Sequence, residues 1–143
     1  MLSALQHTHS GLRWVVLGLL IFAIINSISR KDIYEKKDKM IYLFSMIFAH
    51  IQLLLGIGLL FLSDKVSFAS GFMKAEMYRF YGMEHFLGML IAIVLITIGR
   101  RKAENGASPA KKQKSVRLYF GIALLIILAM IPWPFREALA GGW

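Results

Sequence analysis

Four long apolar stretches alternate along the chain with short polar, mostly basic segments. They run from about Leu12 to Ile28, from Met40 to Leu62, from about Phe80 to Ile98 and from Leu118 to Phe135. An α-helix needs about 20 mostly apolar residues to cross a bilayer, and each stretch meets or approaches that length. The second and fourth carry no charge, while the third carries Glu84 and His85 near its start. The pattern predicts an all-α fold: an integral membrane four-helix bundle of up-down-up-down topology, with residues 1–143 forming a single transmembrane domain. The first stretch reads as a span rather than a signal peptide. The first charge is Arg13, already at the start of the stretch, and Ser29-Arg30-Lys31-Asp32 follows it in place of a small-residue cleavage site.

Composition agrees with lipid as the solvent. Apolar residues make up 57% of the chain and charged ones 17%, against about 45–50% and about 25% in soluble globular domains. The net charge is +9, but its distribution argues against nucleic acid as a partner. Twelve of the seventeen basic residues fall in two short loops: Arg30, Lys31, Lys36, Lys37 and Lys39 after the first span, and seven between Arg100 and Arg117 after the third. Lys and Arg collect on the cytoplasmic side of short loops. Both termini and the loop between spans two and three are therefore expected on the outer face, with Trp14, Trp133 and Trp143 at that interface. The basic loops read first as topology signals, with binding to anionic lipid as a secondary use. Glu104 to Pro109 reads as a flexible turn, and Asp64 to Met77 as a short amphipathic piece lying on the membrane. The chain has no cysteine, which excludes disulfides, iron–sulfur clusters and thiolate zinc sites.

Ionisable residues inside a membrane are costly and point to function. Here they are His50 in span two, Glu84 and His85 in span three, and Arg13 at the start of span one, with His7 and His9 just before it. His50 stands ten residues into its span, about 15 Å deep at 1.5 Å per residue. His85 has Gly82 and Gly88 three residues to either side, which could admit a flat ring or serve close helix packing. His9 and Arg13 share one helix face if the first helix begins early. Arg suits carboxylates, and haem offers both an iron and two propionates. Histidines on three helices with an outward Arg suggest a bis-imidazole b-type haem. His85 is the expected metal ligand and its partner is either His9 or His50, since depth does not decide between them. His7 is expected in water. Glu84 could pair with Arg13 or Arg79, or move protons.

The segments His9-Ser10-Gly11-Leu12-Arg13-Trp14, His50-Ile51-Gln52-Leu53-Leu54-Leu55-Gly56 and Glu84-His85-Phe86-Leu87-Gly88-Met89, with the terminal Ile131-Pro132-Trp133-Pro134-Phe135, carry a resemblance. The chain resembles a family of small four-helix bacterial membrane proteins labelled cytochrome b-like. It is more weakly similar to one half of a haem A synthase. The resemblance implies a bacterial inner membrane location and haem b as cofactor, with His9 and His85 as axial ligands and Arg13 near the propionates. His50 has no counterpart in the haem A synthase pattern. The leading expectation is thus a membrane b-type cytochrome that moves single electrons, with quinone or a larger membrane complex as partner. Two other readings stand beside it: a cofactor-free auxiliary subunit, and a small transporter or enzyme using His50 and Glu84 as a proton relay.

Overall fold

The computed structural model describes residues 1–136. Trp143 lies outside the described residues. Four helices are long and apolar enough to cross a membrane: α1 (Leu2–Ser29), α2 (Lys36–Leu62), α3 (Glu76–Asn105) and α4 (Pro109–Met130). They form the all-α, up-down-up-down bundle of a multi-pass membrane protein. α1 packs against α2 and α4, and α3 packs against the same two, so α1 and α3 face each other across the diagonal.

The helices start and stop for local reasons. α1 begins ten residues before the apolar stretch proper, which carries His7 and His9 onto the helix. Glu35 and Asp38 form a reciprocal cap at the start of α2. α3 and α4 reach well past the apolar segments, so the expected flexible turn is only the short Gly106–Ser108 link. There the Ser108 hydroxyl accepts from the Lys111 N–H at 3.3 Å, with Pro109 at the first helical position. α4 stops at Met130 rather than Phe135. Ile131 precedes Pro132 and is extended (φ −71°, ψ 131°), because the proline ring disfavours helical backbone in the residue before it. The loop between α2 and α3 holds a 3₁₀ turn at Phe72–Lys74.

Packing is arranged for lipid outside and close backbones inside. Leu54, Phe61 and Leu125 are 68–78% exposed, whereas Ala49, Ala92 and Ala123 are buried. Without a hydrophobic drive between helices, small residues let the backbones approach and gain dispersion contacts. Gly99 shows this directly: a Cβ there would stand 2.5 Å from the Tyr119 Cβ on α4.

The two basic loops share one end of the bundle, where a buried polar network joins three helices. Asn26 on α1 donates to Asp38 (2.7 Å) and Tyr42 (3.0 Å) on α2. The Tyr42 hydroxyl donates to the Gln113 carbonyl on α4, and the Gln113 amide donates to the Ile33 carbonyl at 2.6 Å. Arg30 closes the network on Asp38 (2.9 Å) and Glu35 (2.7 Å), and the two carboxylates, Asp38 foremost, push its pKa further up. Arg117 caps α1 at the Ser27 carbonyl, 2.7 Å away. Asp38, Tyr42 and Gln113 are fully buried and each is satisfied, the condition under which buried polar groups stabilise rather than cost.

Two outcomes follow for thermal unfolding in detergent. Tyr42→Phe removes the only described donor to the buried Gln113 carbonyl and is expected to cost about 1–3 kcal/mol. Gly99→Val forces the α3–α4 contact apart, at about 1–3 kcal/mol. An unchanged midpoint in either variant would contradict the packing described.

Candidate functional site

At the opposite end the bundle is open. A cavity of about 350 Å³ reaches in among the helices, within the size range of small-molecule and cofactor sites. His9, Arg13 and His85 all line it, among mostly apolar walls. The early start of α1 is what brings His9 there. Its first turns rest on two α2 glycines: a Cβ at Gly56 would stand 3.3 Å from the His9 ring, and one at Gly58 would stand 3.4 Å from Leu5. Gln52 adds a tether by donating to the His9 backbone carbonyl at 2.8 Å.

The His9 and His85 rings meet across the bundle diagonal, with centroids 6.4 Å apart and planes 72° to one another. No hydrogen bond joins them. Two imidazoles gripping one metal need about 2 Å per metal–nitrogen bond and about 1 Å from each nitrogen to its ring centre, about 6 Å in all. The observed spacing suits that arrangement. His9 Nδ1 is buried without a hydrogen-bond partner, so this imidazole is held at the cavity with its bonding capacity incompletely used.

His85 is oriented by a device encoded at the end of α4. Its Nδ1 lies 2.7 Å from the Met130 carbonyl. A carbonyl only accepts, so Nδ1 carries the proton and Nε2 keeps its lone pair. Helix continuation would have paired Met130 with the N–H of residue 134, but residue 134 is proline and has none. The same holds four residues after Leu128, where Pro132 stands. That carbonyl instead takes the Trp133 indole N–H at 2.8 Å. The two prolines thus release two carbonyls, and one of them fixes the tautomer of His85. Metal-binding histidines characteristically donate their other ring N–H in this way.

The third helix is wound differently just before His85. Phe80–Glu84 forms a π-helical turn, closed by the His85 N–H on the Phe80 carbonyl. Such turns are frequent at functional sites. The wider turn rotates Gly82 off the stripe that three-residue spacing assigns it. Gly82 packs under Phe68, where a Cβ would stand 3.2 Å from the ring, and Gly88 packs under Met130, where a Cβ would stand 2.5 Å from Cγ. The glycines beside His85 therefore serve close packing, and the space beside Gly88 belongs to Met130. Phe80 and Tyr81 ring His85, with centroids 5.6 and 6.4 Å away. Glu84 is engaged by Arg79 at 2.7 Å.

The remaining candidates separate. The Arg13 guanidinium lines the cavity and lies 5.3 Å from the Trp14 ring centre. His7 is exposed at the cavity mouth. His50 is not among the residues lining the cavity. Its Nδ1 lies 2.7 Å from the Met46 carbonyl one turn back, and its Nε2 lies 3.4 Å from Thr97 Oγ1 on α3. It lines a separate shallow groove between α2 and α3. Among the described residues no group of three or more His, Asp or Glu gathers at one place. Sequence reasoning missed Met130 and Gln52; the proline four residues after Met130 was the available signal for the first. No family model, curated protein or solved structure matches this chain.

Long-range ¹H–¹⁵N spectra of histidine-labelled protein are expected to show His85 and His50 as Nδ1–H tautomers. Replacing Pro132 and Pro134 together by Ala removes the block that ends α4 at Ile131, lets the helix continue so that the residue 134 N–H competes for the Met130 carbonyl, and should shift the His85 signature and leave that of His50. An Nε2–H signature at His85 in the unaltered chain would refute the orienting role of Met130.

Proposed function

We propose that this chain is a membrane b-type cytochrome, in which His9 and His85 would hold one haem b through its iron and Arg13 would pair with its carboxylates. The observation that carries the reading is the diagonal imidazole pair, 6.4 Å between ring centres, in a single cavity open at one end of the bundle. The residues fit the group. His85 presents Nε2 with its other nitrogen proton already donated, and His9 carries a buried nitrogen without a partner. Bound there, haem iron supplies a one-electron couple whose potential follows from its ligands and surroundings. The chain's own work is to hold both imidazoles, exclude water with apolar walls and offer a fixed positive charge to carboxylates. The likeness to cytochrome b-like proteins in the His9–Trp14 and Glu84–Met89 segments points the same way.

Orientation and location belong to this reading. The end rich in Lys and Arg is cytoplasmic and the cavity opens to the periplasmic side of a bacterial inner membrane, by the charge rule for short loops. An electron arriving at the cavity would leave by way of quinone or a partner complex in the same membrane. Because the chain has no cysteine, orientation is directly testable. A thiol reagent that cannot cross the membrane should label Ser3→Cys in intact spheroplasts and Ser108→Cys only after permeabilisation; the reverse pattern would invert the topology.

Haem is tested by the visible spectrum of the purified chain expressed with ample haem. A Soret band with split reduced bands of bis-imidazole type is expected, and its absence overturns the proposal. His85→Ala and His9→Ala should each abolish the bis-imidazole signature, whereas His50→Ala should keep it. Loss in His50→Ala with retention in His9→Ala would reassign the second ligand. Arg13→Ala should weaken haem retention by about tenfold or more, the worth of a charge-assisted hydrogen bond.

A further inference from the structure

The groove at His50 is the second place where polar chemistry meets the membrane interior. It lies between α2 and α3, has a volume of about 340 Å³, and has Leu53, Leu90, Ile93 and Val94 as apolar walls. Leu90 and Val94 are 37% and 48% exposed on the outer surface of the bundle, so the groove opens sideways to acyl chains. His50 stands ten residues from Met40 and twelve from Leu62, hence about 15–18 Å from either end of the apolar run. That is the middle of a hydrocarbon core about 30 Å thick.

Two polar side chains, His50 and Thr97, stand in the otherwise apolar lining of this groove. The His50 Nδ1 proton is committed to the Met46 carbonyl, so Nε2 is an acceptor. Its neighbour Thr97 Oγ1 is 3.4 Å away, at the limit of a hydrogen bond, and lies at 2.8 Å from the Ile93 carbonyl on its own helix. The Thr97 proton is therefore spent on its own backbone, and Nε2 is left with a long, weak contact in an apolar setting. A group able to donate to Nε2 would replace that weak contact with a full hydrogen bond.

We infer that this groove binds the head of a lipid-soluble quinone or quinol. Depth excludes phospholipid head groups, which stay at the surface, and lateral opening excludes water-borne ligands. A quinol hydroxyl matches Nε2 as donor, and the oxidised carbonyl would accept from the Thr97 hydroxyl once it turns from the Ile93 carbonyl that now takes its proton. Leu53 and Ile93 line this groove and also the imidazole cavity. One layer of side chains thus separates a head group at His50 from the cavity that holds His9 and His85. The inference deepens the electron-carrier reading and rests on it for its purpose; the binding itself stands on the groove.

The test uses the full chain in phospholipid nanodiscs with a photoreactive azidoquinone, the crosslinked peptides mapped by mass spectrometry. Crosslinks are expected on the α2 and α3 segments around His50 and Thr97, displaced by decylubiquinone and not by decanol. His50→Phe and the nearly isosteric Thr97→Val should each weaken displaceable labelling about tenfold, the worth of one hydrogen bond to the head group. The unfolding midpoint of each variant checks that it is folded. Labelling that decanol displaces equally, that spreads over the lipid-facing surface, or that both folded variants leave intact overturns the inference. The two readings separate cleanly. His85→Ala should remove the haem spectrum and leave quinone labelling, whereas Thr97→Val should do the opposite. Saturable labelling in a chain that never takes up haem would keep this site and refute the carrier; haem without site-specific labelling would refute this site alone.

Discussion

Inside hydrocarbon a polar group without a partner has no water to fall back on, and the arrangement of this bundle follows from that constraint. Helices satisfy their own backbones except at their ends and wherever a proline withholds an N–H. At the end of α4 two prolines do so within three residues, and the carbonyls they release are taken by the Trp133 indole and the His85 imidazole. An obligation of the backbone thereby orients a side chain on a different helix. The same accounting joins the Asn26 amide, Asp38, Tyr42 and Gln113 at the other end.

The two ends of the bundle divide the work. At the basic end the network crosses α1, α2 and α4 and is fully buried at its centre. The other end is open, with a cavity in place of a network and with His9 Nδ1 and Gln52 Oε1 buried there without partners. Unsatisfied buried groups are costly; besides those at the cavity, the Tyr34 hydroxyl and Arg100 Nε at the basic end are buried without a hydrogen-bond partner.

Much of the fold was legible from apolar run length alone, because spanning a bilayer leaves few alternatives to four helices. Helix ends were less so. The start of α1 at Leu2 was left open because the apolar run begins only at Leu12; in the fold His9 and Leu5 pack on Gly56 and Gly58 of α2. The glycines flanking His85 left two uses open, a place for a flat ring and close packing. Three-residue spacing assumes α-helical winding, and the π turn at Phe80–Glu84 breaks that assumption just where it was applied. Depth counting left His9 and His50 equivalent as partners for His85. Their difference lies in which neighbours each ring faces, and that depends on how the helices are arranged around the bundle rather than on distance along any one of them.

The orienting carbonyl of Met130 also has a meaning in time. Translation delivers α1 with His9 first, the His85 helix third, and the residue that fixes the His85 tautomer last. Before α4 docks, the ring of His85 lacks the bond that sets its proton, and no earlier assembly of helices can supply it. The pocket is therefore finished by the final insertion step, and a nascent chain stalled after three spans carries both imidazoles without a matured site.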